Sequence, residues 1–256
     1  MLYERCISRY LVVLLLASSF LLTVKASAEV YELRTYTTNE GKLDNLNARF
    51  RDHTVRLFKK HGMESVGYWV PTDEPKSANT LIYVIRHASR AAAAASWKAF
   101  LADPEWKRVA KQSQLDGRIL AKRPDSVFMS ETDYSPEDTN DAKDEDAVFE
   151  LRIYRTNEGK LGNLDARFRD HTIRIFNRHQ MRSVAYWHPT DEPDSHDTLI
   201  YILRHNSRDA AAASWKAFIA DPEWRRVAKE SQQDGKFLRE RPESIYMKAT
   251  DYSAIQ

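Results

Sequence analysis

The sequence predicts an α+β fold: two ferredoxin-like βαββαβ repeats closing on each other as an intrachain α/β barrel. Three observations predict it. The segment from Tyr31 to Ser135 returns without a gap as Phe149 to Ser253, with 72 of 105 aligned positions identical. A period this long is a whole domain, far beyond a solenoid repeat. Within each copy the pattern runs strand, helix, strand, strand, helix, strand, which is the split βαβ unit. Four antiparallel strands with both helices on one face leave the other face bare, and a second copy is its natural cover.

Each element has its own signal. Val30 to Thr37 alternates Tyr31, Leu33 and Thr35 against Glu32, Arg34 and Tyr36, the period-2 mark of a strand with two different faces. Asn39 is placed to cap a helix beginning at Glu40, whose apolar stripe is Leu43, Leu46, Phe50, Leu57 and Phe58. His61-Gly62 ends it, with the imidazole suited to the C-terminal dipole, as is His179 in copy two. Ser65 to Val70 reads as a strand stopped by the turn-rich Pro71 to Asn79, and Leu81 to His87 as another. Ser89 opens an alanine-rich helix, and Asp103-Pro104 breaks and restarts it with an N-cap and a first-turn proline. Gly117 closes that piece, and a last strand falls between Ile119 and Met129, interrupted by Pro124.

The start reads as an export signal over residues 1–28. Arg5 and Arg9 precede an apolar run from Leu11 to Leu22, and Ala26-Ser27-Ala28 offers a cleavage site near Ala28. The run is short for a bilayer span, so a secreted or periplasmic protein is expected, with an uncleaved membrane tether as the alternative. Cys6, the only cysteine, leaves with the signal, which excludes thiol nucleophiles, thiolate metal sites and disulfides from the remainder. Removing 1–28 leaves equal numbers of acidic and basic residues, so there is no electrostatic case for nucleic acid or an anionic membrane. The domains are then 29–135 and 148–256, joined by an acidic linker at 136–147.

Several of these residues resemble the NIPSNAP family: the Tyr-Glu-Leu-Arg strand at Tyr31, the Glu-Gly-Lys-Leu helix start, and His53. Gly67-Tyr68-Trp69, Ser89-Arg90 and Asp103-Pro104-Glu105-Trp106 belong to the same pattern, and it recurs in the second copy at Phe149-Glu150-Leu151-Arg152, His171, Tyr186-Trp187, Ser207-Arg208 and Asp221-Pro222-Glu223-Trp224. The resemblance implies the dimeric α/β-barrel fold, shared with antibiotic-biosynthesis monooxygenases, muconolactone isomerases and haem-degrading oxygenases. It implies no defined activity. The mitochondrial roles of animal members do not transfer to a chain that starts with an export signal.

Candidate pocket residues come in pairs. Leu33 is expected beneath the helices, so parity sends Glu32, Arg34 and Tyr36, with Glu150, Arg152 and Tyr154, into the barrel interior. They would either form a polar pocket in which Arg34 holds an anionic or carbonyl group, or neutralise each other as a structural stitch. His53 and His171 follow Phe50 and Phe168 by three residues, beside the apolar stripe, and read as half-buried structural, as pocket residues, or as metal or haem ligands. Trp69 and Trp187 are core or pocket wall. Arg90 and Arg208, in first helical turns, need a carboxylate such as Glu32 or a backbone carbonyl. His87 and His205 end strands, within reach of the barrel mouth.

There is no GxSxG, GxGxxG, Walker loop, HExxH or EF-hand pattern, so no catalytic set, metal or cofactor is indicated. The expectation is a non-catalytic barrel binding a small, partly apolar molecule or a protein partner, with room for further homodimerisation. The alternative is a cofactor-independent monooxygenase- or isomerase-like enzyme with its site inside the barrel.

Overall fold

A computed structural model describes residues 28–137, 144 and 146–255; the expected export signal, apart from Ala28, and most of the expected linker lie outside that range. Repeat one comprises β1 (Val30–Thr37), α1 (Leu43–Arg49), a π-helical turn (Phe50–Thr54), α2 (Val55–Lys60), β2 (Glu64–Pro71), β3 (Thr80–His87), α3 (Arg90–Ala102), α4 (Pro104–Gln112) and β4 (Asp125–Glu131). Repeat two follows as β5 (Val148–Arg155), α5 (Leu161–Arg167), a second π-turn (Phe168–Thr172), α6 (Ile173–Arg178), β6 (Arg182–Pro189), β7 (Thr198–His205), α7 (Arg208–Ala220), α8 (Pro222–Glu230) and β8 (Glu243–Ala249).

The eight strands form one closed antiparallel barrel in the order β1-β3-β2-β8-β5-β7-β6-β4. Hydrogen bonding between repeats closes it: β2 pairs with β8 from Trp69↔Ala249 to Pro71↔Met247, and β4 pairs with β6 from Met129↔Pro189 to Glu131↔Trp187. Each repeat thus lends its edges to the other, and no sheet edge stays open. Outside the barrel the halves also clasp reciprocally. Arg90 at the start of α3 reaches Asp191 of repeat two, at 2.8 Å, and Arg208 of α7 reaches Asp73 of repeat one, at 3.1 Å.

The barrel interior is apolar and shared. Tyr31, Leu33, Ile82, Val84 and Trp69 from one repeat join Phe149, Leu151, Ile200, Ile202 and Trp187 from the other in a single buried cluster. This corrects the expected facing of β1. Leu33 points into the barrel, so Glu32, Arg34 and Tyr36, and their counterparts Glu150, Arg152 and Tyr154, lie on the opposite face beneath the helices. A buried carboxylate needs hydrogen-bond donors, and beneath the helices β1 meets them on α3 and β4, and β5 on α7 and β8. Trp69 and Trp187 belong to the interior core.

Their packing is not symmetrical. The Trp69 ring lies across Gly67, where an added Cβ would come within 2.3 Å of the ring, and 5.7 Å from the ring of Phe149. Repeat two has Ala185 at the matching position, and its Trp187 packs 5.7 Å from Tyr31. Gly67→Ala is therefore expected to lower stability by about 1–3 kcal/mol through overpacking. A urea unfolding curve reads the change, and Trp69→Phe in the same background should recover part of it. A neutral Gly67→Ala would show that the indole has room to move.

The helical layer departs from the expected single helix. Asn39 does not cap it; its side-chain amide donates to the Arg118 carbonyl at 2.8 Å, and α1 begins only at Leu43. At Phe50–Thr54 the helix widens into a π-turn, with the Val55 amide bonded to the Phe50 carbonyl and the Thr54 hydroxyl to the Arg49 carbonyl, at 3.1 Å. Arg49, just before this turn, and Phe50 and Thr54 within it are all buried. Such turns inside α-helices frequently mark functional sites. Downstream, Asp103 caps α4 as expected by accepting from the Glu105 amide at 2.7 Å. The His61 side chain goes to the same carboxylate, at 2.8 Å, rather than capping its own helix. His179 does likewise with Asp221.

Candidate functional site

Between the sheet and the helices of each repeat sits a buried charged cluster centred on a glutamate. Glu32 is 1% exposed and accepts from Arg34 Nη1 at 2.5 Å, Ser126 Oγ at 2.6 Å and the Trp97 indole at 2.7 Å. His87 Nε2 lies 3.1 Å away and must be the donor, since a carboxylate only accepts. Repeat two reproduces every contact, with Glu150 bound by Arg152 at 2.5 Å, Ser244 at 2.6 Å, Trp215 at 2.7 Å and His205 at 3.1 Å. Burial alone would raise the Glu32 carboxyl pKa. The His87 bond, the Arg34 charge and the bonds from Ser126 and Trp97 outweigh it and hold the group at about 2. Glu150 is held at about 2 for the same reasons. Each arginine is also stacked, Arg34 at 4.4 Å from the Trp97 ring and Arg152 at 4.3 Å from Trp215. Glu32 and Arg34 thus neutralise each other, and they do so within one repeat rather than stitching two sheets together.

Beside this cluster, repeat one holds a cavity of about 390 Å³ between β1, the π-turn, α3, α4 and the loop before β4. Its walls include Tyr36, Phe50, Phe58, Phe100, Trp106 and Leu120, and its charged lining is Arg49, Arg118, Lys122 and Arg123, with no acidic residue. Arg49 is the buried member, 6% exposed. Its contacts are one long hydrogen bond to Ser113 Oγ at 3.4 Å and the Trp106 ring at 5.4 Å; Nε has no partner. Desolvation lowers its pKa. Tyr36 accepts a hydrogen bond from the Tyr83 hydroxyl at 3.1 Å, which leaves its own O–H available to donate.

The other expected site residues scatter. His53 lies in a shallow hollow of about 290 Å³ between α1, the π-turn and α4, apart from Glu32 and Arg34. Among the described residues, no group of three or more His, Cys, Asp and Glu is arranged to hold a metal. Arg90 and Arg208 do not reach Glu32 or Glu150; they bridge the repeats at the surface, each over an aromatic ring, Phe128 at 3.5 Å and Tyr246 at 3.4 Å. His87 and His205 lie beneath the helices, away from the barrel mouth. At that mouth a second hollow of about 580 Å³ is lined by Tyr31, Trp187 and several carboxylates. Its polar groups are largely spent on one another, as in Tyr31 to Glu131 at 2.9 Å and Ser135 to Glu131 at 2.8 Å.

Sequence reasoning missed Arg49, Arg167, Trp97, Trp215, Ser126 and Ser244. Arg49 carried a signal: three residues after Leu46 and one before Phe50, it is a cation on the apolar stripe. Trp97 and Ser126 carried none, since they lie 65 and 94 residues from Glu32.

Comparison with known proteins agrees with this architecture. A Dictyostelium discoideum protein named as a NipSnap homolog is 28% identical over 141 residues, and the match spans about half of each chain, 54% in both cases. Crystal structures of candidate monooxygenases from Fusobacterium nucleatum and Lactobacillus acidophilus superpose with TM-scores of 0.54. They are 12% and 11% identical, cover 87% and 90% of this chain, and 93% and 97% of their own. At that identity the likeness is one of fold. The NIPSNAP family profile matches twice, over residues 31–136 and 149–254, so the chain belongs to the NIPSNAP family as a tandem of two repeats.

Proposed function

We propose that this protein is a non-catalytic module that binds a small, partly apolar molecule in the cavity between sheet and helices of repeat one. The observation that carries this is Arg49: a buried guanidinium with no carboxylate partner among the described residues, facing an aromatic-walled space large enough for a small ligand. A buried charge left this way is costly unless something pairs with it. The cavity lining supports binding over chemistry. It contains no histidine, carboxylate, serine or cysteine, so no base stands next to a nucleophile. An enzyme of the monooxygenase or isomerase kind, sited in the barrel interior, would have to work among the packed rings of Tyr31, Trp69, Phe149 and Trp187. The arginines and apolar run at the N-terminus support placing the module outside the cytoplasm.

Native mass spectrometry on protein purified from its source tests the binding role. The expected result is one small-molecule adduct per chain, released on denaturation. Protein that is empty as purified, and stays empty when offered a library of small aromatic compounds, would overturn it.

A further inference from the structure

Resting on that reading, we infer that the cavity of repeat one takes a small aromatic carboxylate, anchored by Arg49, and that repeat two does not bind one. The charge argument comes first. Every charged lining residue is a cation; of the exposed ones, Lys122 is paired with Asp125 at 2.6 Å, and Arg118 and Arg123 set a positive entrance for an anion. One buried guanidinium and one donating phenol, Tyr36, match a single negative charge better than a phosphate dianion, which asks for more donors. The walls supply the rest, since Phe50, Phe58, Phe100 and Trp106 suit a flat apolar ring.

The second repeat conserves nearly all of this wall but alters what surrounds the arginine. Arg167 corresponds to Arg49 and is as deeply buried. Phe237 replaces Ile119, and its ring lies 4.7 Å from the Arg167 guanidinium, with Trp224 at 5.1 Å. Two rings thus flank Arg167, whereas Arg49 has only Trp106. Glu240 replaces Lys122 and pairs with Arg155, so the entrance loses its uniform positive sign. The phenol keeps its donor in both copies, Tyr154 accepting from Arg152 at 3.3 Å, so the difference lies in the rings and the entrance charge. Duplication preserved the frame of the pocket, while the Phe237 ring beside the Arg167 guanidinium takes the place a ligand ring would need in the second copy.

Calorimetric titration of the purified protein with 1-naphthoate and with its neutral analogue 1-naphthalenemethanol separates the possibilities. The expected result is one naphthoate per chain, weakened at least about tenfold by Arg49→Met and unchanged by Arg167→Met, while the alcohol binds both Arg49→Met and the parent alike. Ile119→Phe, which copies the ring of the second repeat and keeps the arginine, should abolish naphthoate binding; it serves as the independent variant if Arg49→Met folds poorly by circular dichroism. Equal binding of acid and alcohol, insensitive to Arg49→Met, would overturn the anion assignment and leave the binding module standing. Two naphthoates per chain would overturn the single-repeat assignment. No binding of either probe would count against the binding reading itself.

Discussion

Glu32→Ala is expected to lower the stability of the protein by about 3–5 kcal/mol, the cost typical of removing one partner from a buried ion pair. The loss has several parts acting together. Arg34 keeps its charge without a counter-ion, the Trp97 indole and the Ser126 hydroxyl lose their acceptor, and the His87 imidazole loses the carboxylate it donates to. Arg34 is 15% exposed and can recover some hydration, which favours the lower end of the range. For a chain of this size the melting temperature should fall by roughly 10 °C. Glu150→Ala should do the same, because its contacts are reproduced in every detail. The two losses should also add, since the clusters share no partner. Urea unfolding of the single and double variants tests this. A change below about 1 kcal/mol, the range of a surface pair, would show that the cluster contributes little.

Acid should dismantle the same two clusters, and within a defined window. Glu32 and Glu150 have folded-state pKa values of about 2 against an ordinary 4.5. Their folded values are depressed, so their stabilisation is complete above about pH 4.5 and disappears as pH falls through about 2. The difference amounts to about 3 kcal/mol for each glutamate. Unfolding free energy measured by urea between pH 6 and pH 2 should stay level and then fall along this limb. The Glu32→Gln, Glu150→Gln double variant, uncharged at both positions, should be less stable at neutral pH and lack most of the slope. A parent protein as stable at pH 2.5 as at pH 6 would contradict the assignment.

The repeat, the order of strands and helices and the barrel were legible because hydrophobic periodicity and turn residues are local signals. The facing of β1 was not. Alternation of Leu33 with Glu32 and Arg34 defines two faces without saying which one meets the second repeat. The neighbouring strand offers no vote either, since Ile82 and Val84 on one face are as apolar as Leu81, Tyr83 and Ile85 on the other. The deciding residues were Trp97 and Ser126, whose donors reach Glu32 only after the chain has folded. Arg49 was hidden for a related reason. Its place beside the apolar stripe was visible, but the stripe does not tell a buried guanidinium from a flanking surface cation; that follows only from the packing of α4 and Trp106 over it.

The reciprocal closure of the barrel has a consequence for how the molecule assembles. Because β4 finds its partner in β6 and β8 finds its partner in β2, the same bonds would form if each half came from a different chain. Two chains could therefore exchange halves with no loss of contact, as in domain swapping. The connection of residues 136–147 decides against it, since a short tether holds its own partner at a roughly millimolar effective concentration. The closed single chain should prevail in dilute solution, and swapped pairs should accumulate when the chain refolds at concentrations near that value.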